Sequence, residues 1–284
     1  MSNVLKVLKN NGFAFSKKFG QNFILDEDLL YDIVEGANIN NTDTVVEIGA
    51  GAGTLTSALC DKAAKVFAFE IDSRLRPVLN EVLADKSNAN VIYEDIMKVS
   101  PAKLKEITGG NFKVVANLPY YITSPVLFYF LENDFPLDGI TVMVQKEVAL
   151  RMVAKPGTSD YGALTLAVCS RSDPYIVKEV GREKFLPPPS VDSAVVRMDM
   201  KIKIDENIRE QFDKTVKCAF AMRRKTLENN LMQSFGLNRS DCAGILSAAK
   251  IDEKARGETL DLDKMQSLTK VLIQENVFGD KNRR

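Results

Sequence analysis

Apolar residues recur along this chain with two different periods. From residue 44 to about 153, short apolar runs alternate with stretches of helical spacing, and beyond about residue 203 only the helical period persists. Val45-Val46-Glu47-Ile48, Val66-Phe67-Ala68-Phe69, Val91-Ile92-Tyr93, Phe112-Lys113-Val114-Val115-Ala116 and residues 140–145 each read as a buried strand. Between the first two, Leu55, Ala58 and Leu59 predict a helix within 54–65, and residues 28–37 predict another ahead of the first strand. This alternation is what βαβ units on a parallel sheet require. Residues 174–180 and 193–198, joined by a short Pro-rich link, predict two more strands, paired antiparallel at the sheet edge. Residues 212–231 and 261–274, the latter with Leu262, Met265, Leu268 and Leu272, predict the helices of a small C-terminal domain. At the start, Val4, Leu5 and Leu8 share one face of a short helix.

Chemistry gathers where four of these strands end. The first runs into Gly49-Ala50-Gly51-Ala52-Gly53, a G-x-G-x-G turn before a helix, where the backbone must turn tightly and approach a ligand with no Cβ in the way. It is one position short of the pyrophosphate-cradling G-x-G-x-x-G and lacks the lysine of a nucleotide-hydrolysing phosphate loop. Glu70 ends the second strand, about 20 residues past the first glycine, where an acidic side chain holds ribose hydroxyls. Asp95 ends the third, and its carboxylate accepts only, which suits an adenine amine. The fourth ends in Asn117-Leu118-Pro119-Tyr120: an amide that can accept from an exocyclic amine, a proline that fixes the turn, and a ring that can stack on a base. Either carboxylate alone is as well explained as a helix cap or a solvated charge. Four successive strand ends of this kind point to a nucleoside-cofactor site beside a base pocket.

Composition narrows the chemistry. The 284 residues contain no histidine, which removes the usual general base, every Ser-His or Cys-His pair and the common metal sites. Cys60, Cys169, Cys218 and Cys242 are far apart with no C-x-x-C, so free thiols in a reducing compartment are expected and a zinc site is not. No apolar stretch approaches ~18 residues and the first residues lack a signal peptide's apolar core, so a cytoplasmic protein without a membrane span is expected. Net charge is formally zero, and binding to a nucleic acid must rest on local clusters. Lys214, Lys217, Arg223, Arg224 and Lys225 form one, uninterrupted by any acid. On a continuous helix Lys214, Lys217, Arg224 and Lys225 share a face, while Arg223 falls on the apolar side and must snorkel, pair or reach a ligand. Lys155-Pro156-Gly157-Thr158-Ser159-Asp160 reads as a mobile loop near the site.

Taken together with Lys18-Phe19-Gly20-Gln21-Asn22-Phe23-Ile24-Leu25-Asp26, Phe185-Leu186-Pro187-Pro188-Pro189-Ser190-Val191-Asp192-Ser193 and Arg223-Arg224-Lys225-Thr226-Leu227, the chain resembles the small-subunit (16S) ribosomal RNA adenine N6,N6-dimethyltransferase family. Ala50 stands where many relatives have proline. The resemblance spans roughly the whole chain. It implies a Rossmann-like, seven-stranded class I methyltransferase sheet (residues 1–203, with an N-terminal arm over 1–21) and a helical RNA-contacting domain (204–284). It implies S-adenosyl-L-methionine as cofactor, 16S rRNA within immature 30S subunits as partner, and dimethylation of two adjacent adenosines in a hairpin loop near the 3′ end of that RNA. A monomer without metal is expected. Asn22, Ile24, Gly49, Glu70, Asp95 and Asn117 are carried into the cofactor site by the resemblance; Gly51 and Gly53 follow from the turn, and Ile71 and Ile96 as apolar walls. Asn117, Leu118, Pro119, Tyr120 and Phe185 would hold the adenine, the two rings stacking on its faces. Lys17 and Lys18 join the basic cluster as expected RNA contacts.

Three other readings compete. A large-subunit rRNA adenine methyltransferase conferring macrolide resistance could use the same sheet and turn, although Leu118 and the Arg-Arg-Lys-Thr-Leu segment favour the small-subunit enzyme. An N6-adenine DNA methyltransferase would typically carry Pro-Pro-Tyr after its Asn or Asp. A non-catalytic assembly factor would have no need of an intact glycine loop.

Overall fold

The computed structural model describes residues 3–15 and 20–279. Its strands are β1 (Phe23–Ile24), β2 (Thr44–Ile48), β3 (Lys65–Phe69), β4 (Ala89–Ile92), β5 (Phe112–Asn117), β6 (Leu137–Gln145), β7 (Ser172–Val180), β8 (Phe185–Leu186) and β9 (Ser193–Met200). Seven of them form one sheet in the order β4-β3-β2-β5-β6-β9-β7. The β2–β3, β3–β4, β2–β5 and β5–β6 pairs are parallel and β6–β9 is antiparallel. The continuous apolar runs arise because the central strands are covered on both faces: Val45, Val46, Val114, Val115, Val142 and Val144 are all buried. One apolar cluster joins the helices Glu27–Gly36 and Thr54–Cys60 to Val45, Val115, Met143 and Val195. A second joins the helices Asn3–Asn10 and Arg76–Val82 to Phe23, Ala50, Ala52 and Ala68.

This strand order has a consequence for function. Chain order runs outward from β2 through β3 to β4 on one side and from β5 on the other, so β2 and β5 flank the switch point of the sheet. Parallel α/β sheets open a crevice there, outside the carboxyl ends of the strands. Gly49 follows β2 and Asn117 closes β5. The small two-stranded sheet β1–β8, which hydrophobic patterning does not reveal, pairs Phe23 with Leu186 and Ile24 with Phe185. It ties the segment before the first large strand to the Pro-rich motif.

The chain divides into two compact units, Met1–Ala149 with Pro174–Met200, and Leu150–Asp173 with Lys201–Arg284. The expected boundary near 203 grouped residues 150–173 with the sheet, whereas their contacts lie with the C-terminal helices. Tyr161 and Leu166 are part of the second unit's core, and the Tyr161 hydroxyl donates to the Leu260 carbonyl at 2.7 Å. That core is built on Phe212, Leu227, Leu231, Leu246, Leu268 and Leu272, from helices Arg209–Ala219, Leu227–Phe235, Arg239–Ala248 and Leu262–Gln274.

The single helix expected over 212–231 is two helices. Thr226 starts the second as an N-cap, accepting from the Asn229 amide. The turn between them is stitched by Asn230, whose side chain is 1% exposed: it accepts from the Met222 amide at 3.0 Å and donates to the Ala219 carbonyl at 2.9 Å. These bonds satisfy backbone groups that a continuous helix would have paired internally. Arg223, Arg224 and Lys225 therefore lie in a turn and not on a helix face.

Candidate active site

The cleft at the switch point has a volume of about 240 Å³ and is lined by five stretches of chain. Gly49 and Gly51 come from the loop after β2, Glu70 and Ile71 from the end of β3, Glu94 to Met97 from beyond β4, and Asn117 to Ile122 from the end of β5; Gly20, Gln21, Asn22 and Phe23 supply a further wall.

The glycine loop is shaped by its own backbone. Gly49, Gly51 and Gly53 have φ of 79°, 54° and 81°, in the left-handed region that side chains disfavour. The Gly49 amide donates to the Phe69 carbonyl at 2.8 Å, pinning the loop to the neighbouring strand. A Cβ on Gly51 would come within 3.1 Å of the Phe23 ring. The loop is fastened to Glu70, whose Oε2 accepts from the Gly51 amide and whose Oε1 accepts from the Asp72 amide, each at 2.8 Å. Burial pushes the Glu70 carboxyl up, and its backbone hydrogen bonds oppose the shift. Each bonded oxygen keeps a further lone pair for a hydroxyl. Asp95 caps the short 3-10 turn at 96–98 through Oδ1, at 3.0 Å from the Met97 amide, while lining the cleft.

At the end of β5, Asn117 Nδ2 donates to the Asn22 carbonyl at 2.9 Å, so Oδ1 is the acceptor that the side chain retains. The Leu118 side chain is buried and its amide donates to the Met143 carbonyl at 3.2 Å, continuing the β5–β6 ladder past the strand end. Tyr120 is half-buried, and its hydroxyl shares a 2.9 Å hydrogen bond with the fully buried Ser193 hydroxyl. Burial raises the pKa of this phenol, so Tyr120 is neutral near pH 7.

The cleft brings together Asn22, Gly49, Gly51, Glu70, Ile71, Asp95, Ile96, Asn117, Leu118, Pro119 and Tyr120. Three other expected residues lie elsewhere. Ile24 is 2% exposed and Phe185 5%; they face each other across β1–β8 and pack in the cluster with Val180, Met143 and Val195. The Phe185 ring thus packs in this core and is not part of the cleft lining. Gly53 is the N-cap of the helix Thr54–Cys60; a Cβ there would meet Leu79 at 3.0 Å and Val82 at 3.3 Å, so this glycine serves close packing. Residues passed over by sequence reasoning include Gln21, Phe23, Tyr121 and Ser193. The only signal for them was their place inside the Gly-Gln-Asn-Phe, Pro-Tyr-Tyr and Val-Asp-Ser segments.

Below the glycine loop, Glu47 is 1% exposed in the middle of β2. Burial raises its carboxyl to about 8; the Thr56 side chain offsets this only in part and the Glu70 charge adds to it. Among the described residues, neither Glu47 Oε2 nor Thr56 Oγ1 has a hydrogen-bond partner of good geometry.

The basic cluster lies in the second unit. Lys214 pairs with Glu210 at 2.6 Å, one helical turn away. Lys217 is exposed on the same helix, and Arg224 and Lys225 are exposed in the turn. Arg223 donates to the Ser159 carbonyl. The loop around Ser159, expected to be mobile, is held further by Gly157 N–H to the Glu258 carbonyl at 2.8 Å and by Thr158 Oγ1 to the Lys155 carbonyl at 2.7 Å. Lys17 and Lys18 lie outside the described residues. All four cysteines are free thiols. Among the described residues no helix is long and apolar enough to cross a membrane.

Two features of the cleft suit a nucleoside sulfonium. Among the described residues its lining holds carboxylates and no lysine or arginine, which favours a cation over a phosphorylated nucleotide, and Gly49 and Gly51 present backbone without a side chain to it. Sheet order and site together define a class I, S-adenosylmethionine-dependent methyltransferase. The family model for ribosomal RNA adenine dimethylase matches residues 12–268, and the chain belongs to that family. It is 45% identical over 271 residues to a ribosomal RNA small subunit methyltransferase A from Clostridioides difficile, and 42% identical over 278 residues to one from Bacillus mycoides, covering 94% of each chain in both cases. Among solved structures it is similar to a dimethyladenosine transferase from Plasmodium falciparum (TM-score 0.75, 26% identity, 89% of this chain and 98% of that one). It is also similar to the 23S rRNA methyltransferase ErmE (TM-score 0.67, 27% identity, 89% and 100%).

Proposed function

We propose that the chain dimethylates N6 of two adjacent adenosines in a hairpin loop near the 3′ end of 16S rRNA, acting in the cytoplasm as a metal-free monomer on immature 30S subunits. The observation that carries this reading is the orientation of Asn117: with Nδ2 engaged by the Asn22 carbonyl, Oδ1 is turned to acceptor duty at the end of β5.

S-adenosylmethionine supplies an electrophilic methyl group on a sulfonium. Glu70 would hold the ribose hydroxyls of that cofactor and Asp95 its adenine amine, with Ile71 and Ile96 as apolar walls and Asn22, Gly49 and Gly51 approaching through backbone. The lone pair of the target N6 is delocalised into the purine, so the enzyme must gain rate from position and from charge. Asn117 Oδ1 and the Leu118 carbonyl would accept the two N6 hydrogens. This favours a pyramidal nitrogen and stabilises the positive charge that develops on it. No general base is needed beyond these acceptors, in keeping with a chain that has no histidine. Pro119 fixes the turn, and Tyr120, braced by Ser193, offers one stacking face to the flipped base, worth ~1–3 kcal/mol. Each transfer would form an N6–C bond at the expense of the sulfonium S–C bond and leave a cationic N6 that releases one proton to water, so the second would proceed with a single acceptor bond. Lys214, Lys217, Arg224 and Lys225 would contact RNA phosphates, with Arg223 shaping the turn that presents the last two; Lys17 and Lys18 would add to this.

The deciding experiment offers labelled S-adenosylmethionine and the protein, separately, to undermethylated small subunits, large-subunit rRNA and duplex DNA, followed by digestion to nucleosides. Dimethyladenosine from small subunits alone is expected. Label in large-subunit RNA would move the substrate to that of ErmE, and cofactor binding without any transfer would favour an assembly factor.

A further inference from the structure

Residues 20–23 make four successive contacts with three different loops. Gly20, with φ of 58°, lies against the Tyr121 ring and Pro119, where a Cβ would sit 3.4–3.5 Å from their carbons. Gln21 Nε2 donates to Asp72 Oδ2 at 2.8 Å. The Asn22 carbonyl accepts from Asn117, and the Phe23 ring lies under Gly51. The segment is thus fastened to the ends of β5, β3 and β2 in turn while forming one wall of the cleft.

Of these anchors Asp72 is the unusual one. Its carboxylate is 3% exposed yet is not part of the cleft lining. It accepts from the Arg74 amide at 3.2 Å, Arg74 Nε at 2.8 Å and Arg74 Nη2 at 2.6 Å, in addition to Gln21. Its own amide donates to Glu70 Oε1. The Arg74 guanidinium in turn lies 5.6 Å over the ring of Phe13, from the N-terminal segment. A buried carboxylate needs such partners to stay ionised, and the paired Arg74 holds its pKa below the usual carboxylate value. The carboxylate does not itself line the cleft; it is a fixed acceptor for Gln21, which does, while the backbone amide of the same residue donates to Glu70.

We infer that Asp72 is a positioning residue, which sets the affinity for the nucleoside cofactor without touching it by holding Gln21, and so the wall formed by residues 20–22, in place along the cleft. The inference rests on the proposed cofactor site. It separates donor from acceptor: Gln21 must donate and Asp72 must accept. Gln21→Glu places two acceptors face to face. Adding Asp72→Asn in that background restores a donor–acceptor pair with the roles exchanged: the oxygen of the introduced carboxamide keeps the Arg74 amide and Nε, and Arg74 Nη2, which shared Oδ2 with Gln21, turns to the carboxylate introduced at position 21.

The test is calorimetric titration of the full chain with S-adenosylhomocysteine, alongside steady-state kinetics on undermethylated small subunits. Q21E is expected to weaken binding about tenfold and D72N several-fold, as for loss of a hydrogen bond to a charged group, and Q21E/D72N to recover to within about threefold of the parent. The KM for S-adenosylmethionine should rise while kcat at saturation changes less than about twofold. Amide exchange at residues 20–23 in the cofactor-free protein should quicken in Q21E and slow again in the double variant. A purely structural Asp72, serving only the Arg74 turn, predicts a lower melting temperature in D72N, no effect of Q21E and no rescue; that pattern would overturn the inference. Q21A, which needs no new charge, provides the check should Q21E misfold, and parental affinity in Q21A would also overturn it. Failure of the parent itself to bind S-adenosylhomocysteine would instead undo the cofactor site.

Discussion

The cleft beyond β2–β5 and the basic turn at 223–225 obtain their chemistry in different ways. In the cleft, polar groups are fixed by hydrogen bonds within the protein: Glu70 by two amides, Asn117 by a carbonyl, Tyr120 by a buried serine. These groups are pre-set for a small ligand of defined shape, and displacing one should cost rate. In the turn, Arg223 is fixed to a loop carbonyl, while Arg224 and Lys225 are exposed and project charge. Long solvated side chains suit phosphates whose positions vary, and losing one should cost affinity in a salt-dependent way. Order thus belongs to the proposed reacting site, and solvated charge to the proposed RNA contact.

The sharpest way to break this contrast is Asn117→Ala. Methyl transfer in a single turnover should fall by about 10²–10³, as when a transition-state hydrogen-bonding group is removed, while binding to small subunits survives. Unchanged transfer would refute the role assigned to Asn117.

Glu47→Gln comes next and acts on stability. The folded-state pKa of about 8 lies above the ordinary value of 4.5, so the native state holds this proton more tightly than the unfolded chain. The associated stability is fully present below pH 4.5 and is lost as pH rises towards 8. Glutamine mimics the protonated carboxyl. E47Q and the parent should therefore melt together near pH 4, and the variant should gain on the order of 3 kcal/mol by pH 7, several degrees in melting temperature. Parallel melting curves across that range would show that Glu47 is solvated.

Replacing Arg224 and Lys225 together by alanine should leave S-adenosylhomocysteine affinity unchanged. It should weaken RNA binding and lower the slope of log K against log salt by about 2. A change in cofactor affinity would blur the division of labour between cleft and turn. The smallest effect is expected from Tyr120→Phe, which keeps the ring and loses only the Ser193 hydrogen bond, worth about 1 kcal/mol. Transfer should slow a few-fold, Ser193→Ala should match it, and the double variant should be no worse than either. Additive losses would mean that the two hydroxyls act separately.

Much of this protein was legible in the chain alone, for a physical reason in each case. Parallel strands buried on both faces leave continuous apolar runs, and a backbone that must turn with positive φ leaves glycines; hence the sheet strands, the loop at 49–53 and the strand-end residues Glu70, Asp95 and Asn117 could be located. These are local signals. What only the tertiary structure decided depends on residues far apart in sequence. Phe185 reads as a ring beside a Pro-rich turn, but pairing with Ile24 places it in the core. Gly53 looks like its neighbours in the loop until Leu79 and Val82 are packed on it. The helical period across 212–231 conceals a break because Asn230, buried against Ala219 and Met222, can satisfy a turn as readily as a helix satisfies itself. Gln21 and Asp72 meet across some fifty positions of chain. Periodicity and spacing report what a residue does to its own segment; which side chain completes a distant carboxylate is settled only when the segments pack.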